Sequence, residues 1–330
     1  MNKRNTYYDF IRICAMFMTI GVHAVGSIKL YASSQLDNII VPILEGINGL
    51  GVPIFFALSG RFLLAHSFEE TGVGKWYLKH FKRILIPYCV YGLVYVIYFT
   101  GIEQHNIMGI PKMYVYDLLF TGFHNTHWFI YSILGLYIAT PFLSKMFHNV
   151  NDKEVALLMG SALGINILCN IFSLWGLNLK LNDIVFNQSG ILWYILGYST
   201  YRLRDKLSIV IKLRWLLILI AIAGSALFSG FNVFSYIFVI AVMMEGDMNN
   251  LPDRCKRIIS FVSRYSYDVY LIHAAVISLV LKIYSDWTNM FALKVIGIYL
   301  VVWIISMTIV YIPGKCMKRI MREGDVHGKG

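Results

Sequence analysis

Long apolar runs alternate along this chain with short polar breaks, and the runs are apolar all round rather than on one face. A helix with no polar face needs apolar surroundings, and about 20 such residues are enough to cross the hydrocarbon of a bilayer. Ten windows fit that description: 9–28, 43–65, 84–101, 127–147, 155–177, 189–202, 214–230, 232–245, 266–284 and 291–312. The sixth and eighth are short, so they are tilted, re-entrant or bounded differently. Lipid offers nothing to hydrogen-bond a bare backbone, which makes helix the expected form of every window. The chain is therefore expected to be an all-α polytopic membrane bundle of about ten transmembrane helices. The longest polar interval, roughly 102–126, is expected to carry a short outer helix.

Composition strengthens the pattern. Hydrophobic residues make up 58% of the chain and charged residues 14%, with a mean hydropathy of +0.62. A soluble chain carries about a quarter of its residues charged, so most of this surface must face lipid. The net charge of +11 does not mark a nucleic-acid binder, because the basic residues fall in bands between apolar runs. With the first end placed inside, the outer segments hold only Lys29, Lys112, Lys180, Lys282 and Lys294. Arg12 and Arg61 lie within spans, and the remaining Lys and Arg residues, Lys3, Arg4 and Lys329 among them, fall on the cytoplasmic side. That bias predicts both termini in the cytoplasm. The expected division is a transmembrane domain over 1–313 and a basic polar cytoplasmic tail over 314–330 that touches anionic lipid. The first run is expected to be a signal-anchor helix rather than a cleaved leader. Cys14, Cys89, Cys169, Cys255 and Cys316 show no metal-like or redox spacing, so neither a disulfide nor a metal site is expected.

Ionisable groups inside spans are expensive, and each asks for a reason. The first window reads DFIRICAMFMTIGVH. Asp9 and Arg12 lie near its cytoplasmic end and His23 deeper in. Eleven residues separate Arg12 from His23, which is three turns plus about 20°, so both share one face about 16 Å apart. Snorkelling of the arginine and a satisfied interior histidine is the plain alternative. In the second window, GVPIFFALSGRFLL, Ser59 and Arg61 sit at a depth comparable to Arg12. Lys82 and Arg83 open the third window from the same side. Taken singly they read as topology determinants; with Arg12 and Arg61 they form a cationic mouth suited to a polyphosphate. Towards the outer side, HNTHWFIYSILGLY brings His127 and Trp128, and SRYSYDVYLIHAAV brings Tyr270 and His273, three residues apart on one face. Three histidines from separate helices point to a polar cavity.

These segments together resemble the acyltransferase 3 family of membrane acyltransferases, from Tyr8 to about Pro313. The resemblance is carried by Asp9, Arg12 and His23 at their spacing, FFALSG at 55–60, KRILIPY at 82–88, HWFIYSILGLYIATPFL at 127–143, LWYILGY at 192–198 and SRYSYDVYLIH at 263–273. It implies transfer of an acyl group, usually acetyl, from cytoplasmic acyl-CoA to an acceptor on the outer face. It also implies an essential His23, as base or transient acyl carrier, and an essential Arg12. The chain departs from the family's pattern at Arg61, where an apolar or aromatic residue is usual. Other departures are Asp268 for a small residue, Ala274 for a proline, and Lys79 and Lys82 where paired arginines are usual. Fused members add a periplasmic domain. This chain is expected to lack one and to acylate its acceptor directly or through a separate extracytoplasmic acyl-accepting protein.

The expectation is a cytoplasmic-membrane O-acyltransferase using acetyl-CoA or another short acyl-CoA, without a metal. Its acceptor is a hydroxyl of a cell-surface polysaccharide or of the lipid-linked sugar precursor. His23, Arg12 and Asp9 are the candidate catalytic residues. Arg12, Arg61, Lys82, Arg83 and Ser59 are the candidate donor contacts, and His127, Trp128, Tyr270 and His273 the candidate acceptor contacts. The alternative is a multi-pass transporter of a small polar solute or glycan, whose pathway the same polar groups line.

Overall fold

The computed structural model describes residues 5–29, 34–68, 72–177, 179, 190–228, 233–244, 246, 248–284 and 291–327. Basic positions 3, 4, 180 and 329, and the outermost residues of the windows 189–202, 214–230 and 232–245, lie outside them. The α-helices are α1 (Thr6–Ile28), α2 (Gln35–Gly49), α3 (Gly51–Leu63), α4 (Val73–Val96), α5 (Ile110–Tyr116), α6 (Trp128–Asn149), α7 (Asp152–Leu174), α8 (Ile191–Arg202), α9 (Ser208–Leu227), α10 (Val233–Met243), α11 (Asp253–Tyr284) and α12 (Phe291–His327). Among the described residues there is no strand. The expected outer helix is present as α5, flanked by π-helical turns at Ile97–Glu103 and Asp117–Thr121.

Eight helical stretches are long and apolar enough to cross a membrane: Thr6–Ile28, Gln35–Leu63, Val73–Glu103, Asn125–Asn149, Asp152–Leu174, Ser208–Leu227, Asp253–Ile283 and Leu293–Tyr311. They coincide with eight of the ten windows, and the chain is an all-α, multi-pass membrane protein. The other two windows became α8 and α10, of 12 and 11 residues. At 1.5 Å per residue these reach only about 18 and 16 Å, short of a hydrocarbon core of about 30 Å. Leu192 and every residue from Tyr194 to Thr200 in α8 are buried. By contrast α9 buries only Ala221, Gly224 and Ser225, while Ile209, Leu219 and Leu227 stand well exposed. That is the surface a lipid-facing helix presents.

The chain divides into two compact units, residues 1–71 with 138–263, and residues 72–137 with 264–330. In the first unit α3 and α8 approach until backbone meets backbone. A Cβ on Gly60 lies 1.7 Å from the Tyr194 carbonyl oxygen, and one on Gly197 lies 2.0 Å from that of Ala57. Small residues permit such approach, and membrane helices associate through it. Phe56 stacks on Trp193, and further along the same pair Arg61 meets Tyr201, so α3 and α8 run in the same direction. Gly46 of α2 meets the Ser225 carbonyl of α9 in the same way, at 1.8 Å. The α6–α7 turn is closed by Arg202. Its guanidinium donates to the carbonyls of Phe147 and Val150 and pairs with Asp152 at 2.9 Å.

The second unit is built around α4. Tyr88, Tyr91 and Tyr95 repeat every three or four residues down one face and are all but fully buried. Gly92 leaves room for the Phe123 ring, which a Cβ there meets at 2.1 Å. The Tyr267 hydroxyl of α11 donates to the Ile84 carbonyl at 3.0 Å.

Replacing Gly60 or Gly197 by alanine is expected to cost about 1–3 kcal/mol, the usual range for overpacking. Gly160→Ala on α7, where a Cβ meets nothing within 4 Å, is expected to be neutral or slightly stabilising. Thermal unfolding of the purified protein in one detergent separates the two outcomes.

Candidate functional site

One end of the first unit gathers the start of α1 and the ends of α3, α8 and α10. The Asn5 side chain caps α1 by accepting from the Tyr7 amide at 2.9 Å. Tyr7 and Tyr8 then pin the helix, their hydroxyls donating to the carbonyls of Val242 and Met243. One residue further lies Asp9, 3% exposed. Its Oδ1 accepts from the Ser263 hydroxyl at 2.9 Å and pairs with Arg12 Nη1 at 3.3 Å, while the same Nη1 also reaches Ser263 Oγ at 3.3 Å. These three groups close a triangle. A buried carboxylate is costly unless paired and hydrogen-bonded, and here it receives both. The consequence is a guanidinium held in one place with part of its surface, 30% of the side chain, left accessible.

The same helix carries His23, half-buried three turns on. Its carbonyl accepts from the Ser27 hydroxyl at 2.8 Å. On α3, the Ser59 hydroxyl donates back to Phe55 O at 2.9 Å, a bond within its own helix. Arg61 projects its guanidinium among three rings, with centroids 2.9 Å away for Tyr201, 5.3 Å for Phe62 and 5.6 Å for Tyr8. Arg12 follows Tyr8 by one turn, so the two intramembrane arginines expected to work together do share this end of the unit. Lys82 and Arg83 belong to the second unit, where both are exposed on α4.

In the second unit, His127, Tyr270 and His273 come together. The His127 ring is 1% exposed and lies 6.2 Å from that of Tyr270, which lies 5.6 Å from that of His273. Nε2 of His127 faces the Leu271 carbonyl at 3.1 Å. A carbonyl only accepts, so this nitrogen carries the proton. By the same reasoning Nδ1 of His273 donates to the Tyr270 carbonyl at 2.5 Å. The Tyr270 hydroxyl donates to Thr126 O at 2.6 Å, tying α11 to the turn before α6. Trp128 is 48% exposed and meets Phe129 edge-on, and Phe129 in turn meets the Tyr270 ring edge-on at 5.6 Å.

Four participants were not singled out from the sequence: Ser263, Tyr88, Tyr95 and His124. The Ala275 amide donates to the Tyr95 hydroxyl at 3.0 Å. Leu271 and Ala275 are four residues apart, so His127 and Tyr95 engage α11 at one rung of its ladder, the means by which side chains perturb helices locally. Tyr88 and Tyr95 flank His127 with ring centroids at 5.6 and 5.1 Å. Their seven-residue spacing on α4 was the available signal. Nδ1 of His124 accepts from the Thr126 amide at 3.2 Å, and burial lowers the pKa of the ring. Its signal was the three-residue interval to His127 in HNTHW. Among the described residues, no three His, Cys, Asp or Glu side chains group as metal ligands.

Spanning helices that carry an ion-paired arginine in one unit and buried histidines in the other place this chain among polytopic membrane proteins with costly polar groups inside their spans. The acyltransferase-domain model of the acyltransferase 3 family matches residues 5–312, and the chain belongs to that family. It is a membrane acyltransferase. No curated protein and no solved structure matches it.

Asp9→Asn removes the charge that holds Arg12, and Ser263→Ala leaves the Asp9 carboxylate one donor short. Each is expected to destabilise the protein by roughly 1–3 kcal/mol, read as a lower thermal midpoint. His124 offers a pH test. Its folded pKa lies below the unfolded value of about 6.5, so the stability it contributes is present above that value and lost as pH falls towards the folded pKa. Protection factors of the amides at residues 124–127, taken relative to the intrinsic exchange rate at each pH, are expected to fall between pH 7.5 and 5. His124→Asn, which keeps an acceptor for the Thr126 amide but cannot titrate, is expected to flatten that dependence.

Proposed function

We propose that the protein transfers a short acyl group, acetyl in the first instance, from cytoplasmic acyl-CoA to a hydroxyl of a cell-envelope glycan or its lipid-linked precursor. The membrane is the cytoplasmic membrane, with both chain ends inside. What supports this reading above all is α1, which carries a fixed cation and an imidazole on one face about 16 Å apart. The arginine is immobilised by the buried Asp9 carboxylate and Ser263. That span suits an extended pantetheine arm whose phosphates lie at Arg12 and whose thioester lies at His23. Arg61, Lys82, Arg83 and Ser59 complete the donor contacts in this reading. His127, Trp128, Tyr270 and His273 receive the acceptor.

The chemistry assigned to His23 is proton transfer. Its neutral imidazole takes the proton of the acceptor hydroxyl as that oxygen attacks the thioester carbonyl. The tetrahedral intermediate collapses by breaking the carbon–sulfur bond, and the departing thiolate recovers the proton from the imidazolium. In the covalent variant the imidazole attacks the thioester and expels the CoA thiolate, which takes the proton from the other ring nitrogen; the hydroxyl then displaces the imidazole from the acyl group and leaves its proton on the ring. Asp9 acts through Arg12, as a positioning residue. A separate extracytoplasmic protein receives the acyl group where the glycan is not reached directly.

Purified protein with radiolabelled acetyl-CoA is expected to transfer or hydrolyse the acetyl group. His23→Ala is expected to reduce turnover by about 10²–10⁴-fold, the range for loss of a general base, with CoA binding retained. Undiminished turnover in that variant excludes the role given to His23.

A further inference from the structure

The third spanning stretch ends at Glu103 and the fourth begins at Asn125, and the residues between them turn back along α4. A Cβ on Gly101 lies 3.1 Å from Cδ1 of Ile110, the first residue of α5. The Tyr114 hydroxyl donates to the Cys89 carbonyl at 3.1 Å. Beyond it, the Tyr131 hydroxyl donates to the Leu118 carbonyl at 3.1 Å and, its proton committed there, accepts from Tyr88 at 3.0 Å. Ile110, Tyr114 and Leu118 thus engage Gly101, Cys89 and, through Tyr131, Tyr88 in turn, so the segment runs antiparallel to α4. Cys89 lies fourteen residues before Glu103, about 20 Å of helix. All of these residues belong to the second unit.

The face this segment leaves uncovered is apolar. Ile107, Met108, Val115, Tyr116, Leu119 and Phe120 are all exposed, Met108 at 92% and Phe120 at 74%. They fall in adjacent pairs that, with Pro111 and Lys112, recur every four residues. Such a repeat drifts around an α-helix of 3.6 residues per turn; the π-helical turn at Asp117–Thr121, with its wider hydrogen-bond spacing, reduces the drift. Lys112 is the one charge on the stripe, and its stem lets the ammonium reach headgroups. Asp117 lies off the stripe and accepts from the Thr121 hydroxyl at 2.7 Å.

Contiguous apolar surface facing water marks an interaction site or a liability. On α4 the row Cys89, Leu93, Ile97, Gly101 recurs every four residues. Its two ends meet the segment, while Leu93 and Ile97 between them stay exposed. The stripe therefore adjoins the apolar surface of a spanning helix, which hydrocarbon covers. We propose that residues 107–120 form a re-entrant element whose apolar stripe is embedded in the acyl chains of the leaflet opposite the basic start of α4, its partner being the bilayer lipid itself. The Tyr131 hydroxyl on Leu118 O serves the backbone where the helix is irregular, as that depth requires. One helical layer then separates the histidine cluster from lipid. From Tyr114 of that layer, ring contacts run through Phe123 and Tyr88 to His127, with centroids 5.2, 5.0 and 5.6 Å apart.

The test keeps the native sequence and does not depend on the orientation or the activity of the chain. The full protein in phosphatidylcholine nanodiscs is exposed to hydroxyl radicals, and oxidation is read residue by residue by mass spectrometry. Met108 is expected to oxidise more slowly, by about tenfold or more, than in the same chain unfolded in urea, although protein leaves it 92% uncovered. In a second arm, phosphatidylcholine with a diazirine in its acyl chain is expected to crosslink within residues 107–120 on irradiation. The proposal requires both results. Oxidation of Met108 at the unfolded rate places the stripe in water and overturns it. Protection without lipid crosslinks gives the stripe a protein partner, such as a second copy seen by native mass spectrometry, and overturns it equally.

Discussion

A carboxylate buried at the start of the first helix governs what the rest of this site is able to do. Asp9 is held at 3% exposure with Arg12 and Ser263 both reaching it. That requirement ties α1 to the first part of α11, while Tyr7 and Tyr8 tie it to the end of α10. The arginine is thus fixed in direction by the charge it neutralises. A snorkelling arginine is mobile and solvated; this one is held, and still exposes part of its surface. Everything proposed for α1 follows from that difference.

A second constraint is the close approach of α3 and α8. Gly60 and Gly197 let the two backbones touch, which brings Arg61 and Tyr201 into contact further along the same pair of helices. Were the helices more than about 3 Å further apart, the Arg61–Tyr201 contact would pass the range of a cation–π interaction. Packing and chemistry at this end are therefore one arrangement.

Much of this was legible beforehand, for physical reasons. Eight spanning helices announce themselves because lipid demands unbroken apolar runs, and no other environment asks for runs of that length. Asp9, Arg12 and His23 stand out because charge inside such a run is costly. The windows that became α8 and α10 were legible as short apolar helices of uncertain reach, since burial in protein and burial in lipid select the same side chains. Ser263, Tyr88 and Tyr95 escaped notice for the opposite reason. A serine or tyrosine in an apolar helix costs little, and its hydrogen-bond partner belongs to a segment distant in sequence: Asp9 for Ser263 and Ala275 for Tyr95.

The account makes α1 a bridge between a donor on one side of the membrane and an acceptor on the other. Proteoliposomes with a single protein orientation test that directly. Labelled acetyl-CoA is supplied only at the face bearing the chain termini, and a glycan acceptor is sealed on the opposite side. Acetylated glycan is expected to accumulate in the compartment that never contained acetyl-CoA, and only with Arg12 and His23 intact. Product confined to the donor's own compartment would contradict the account.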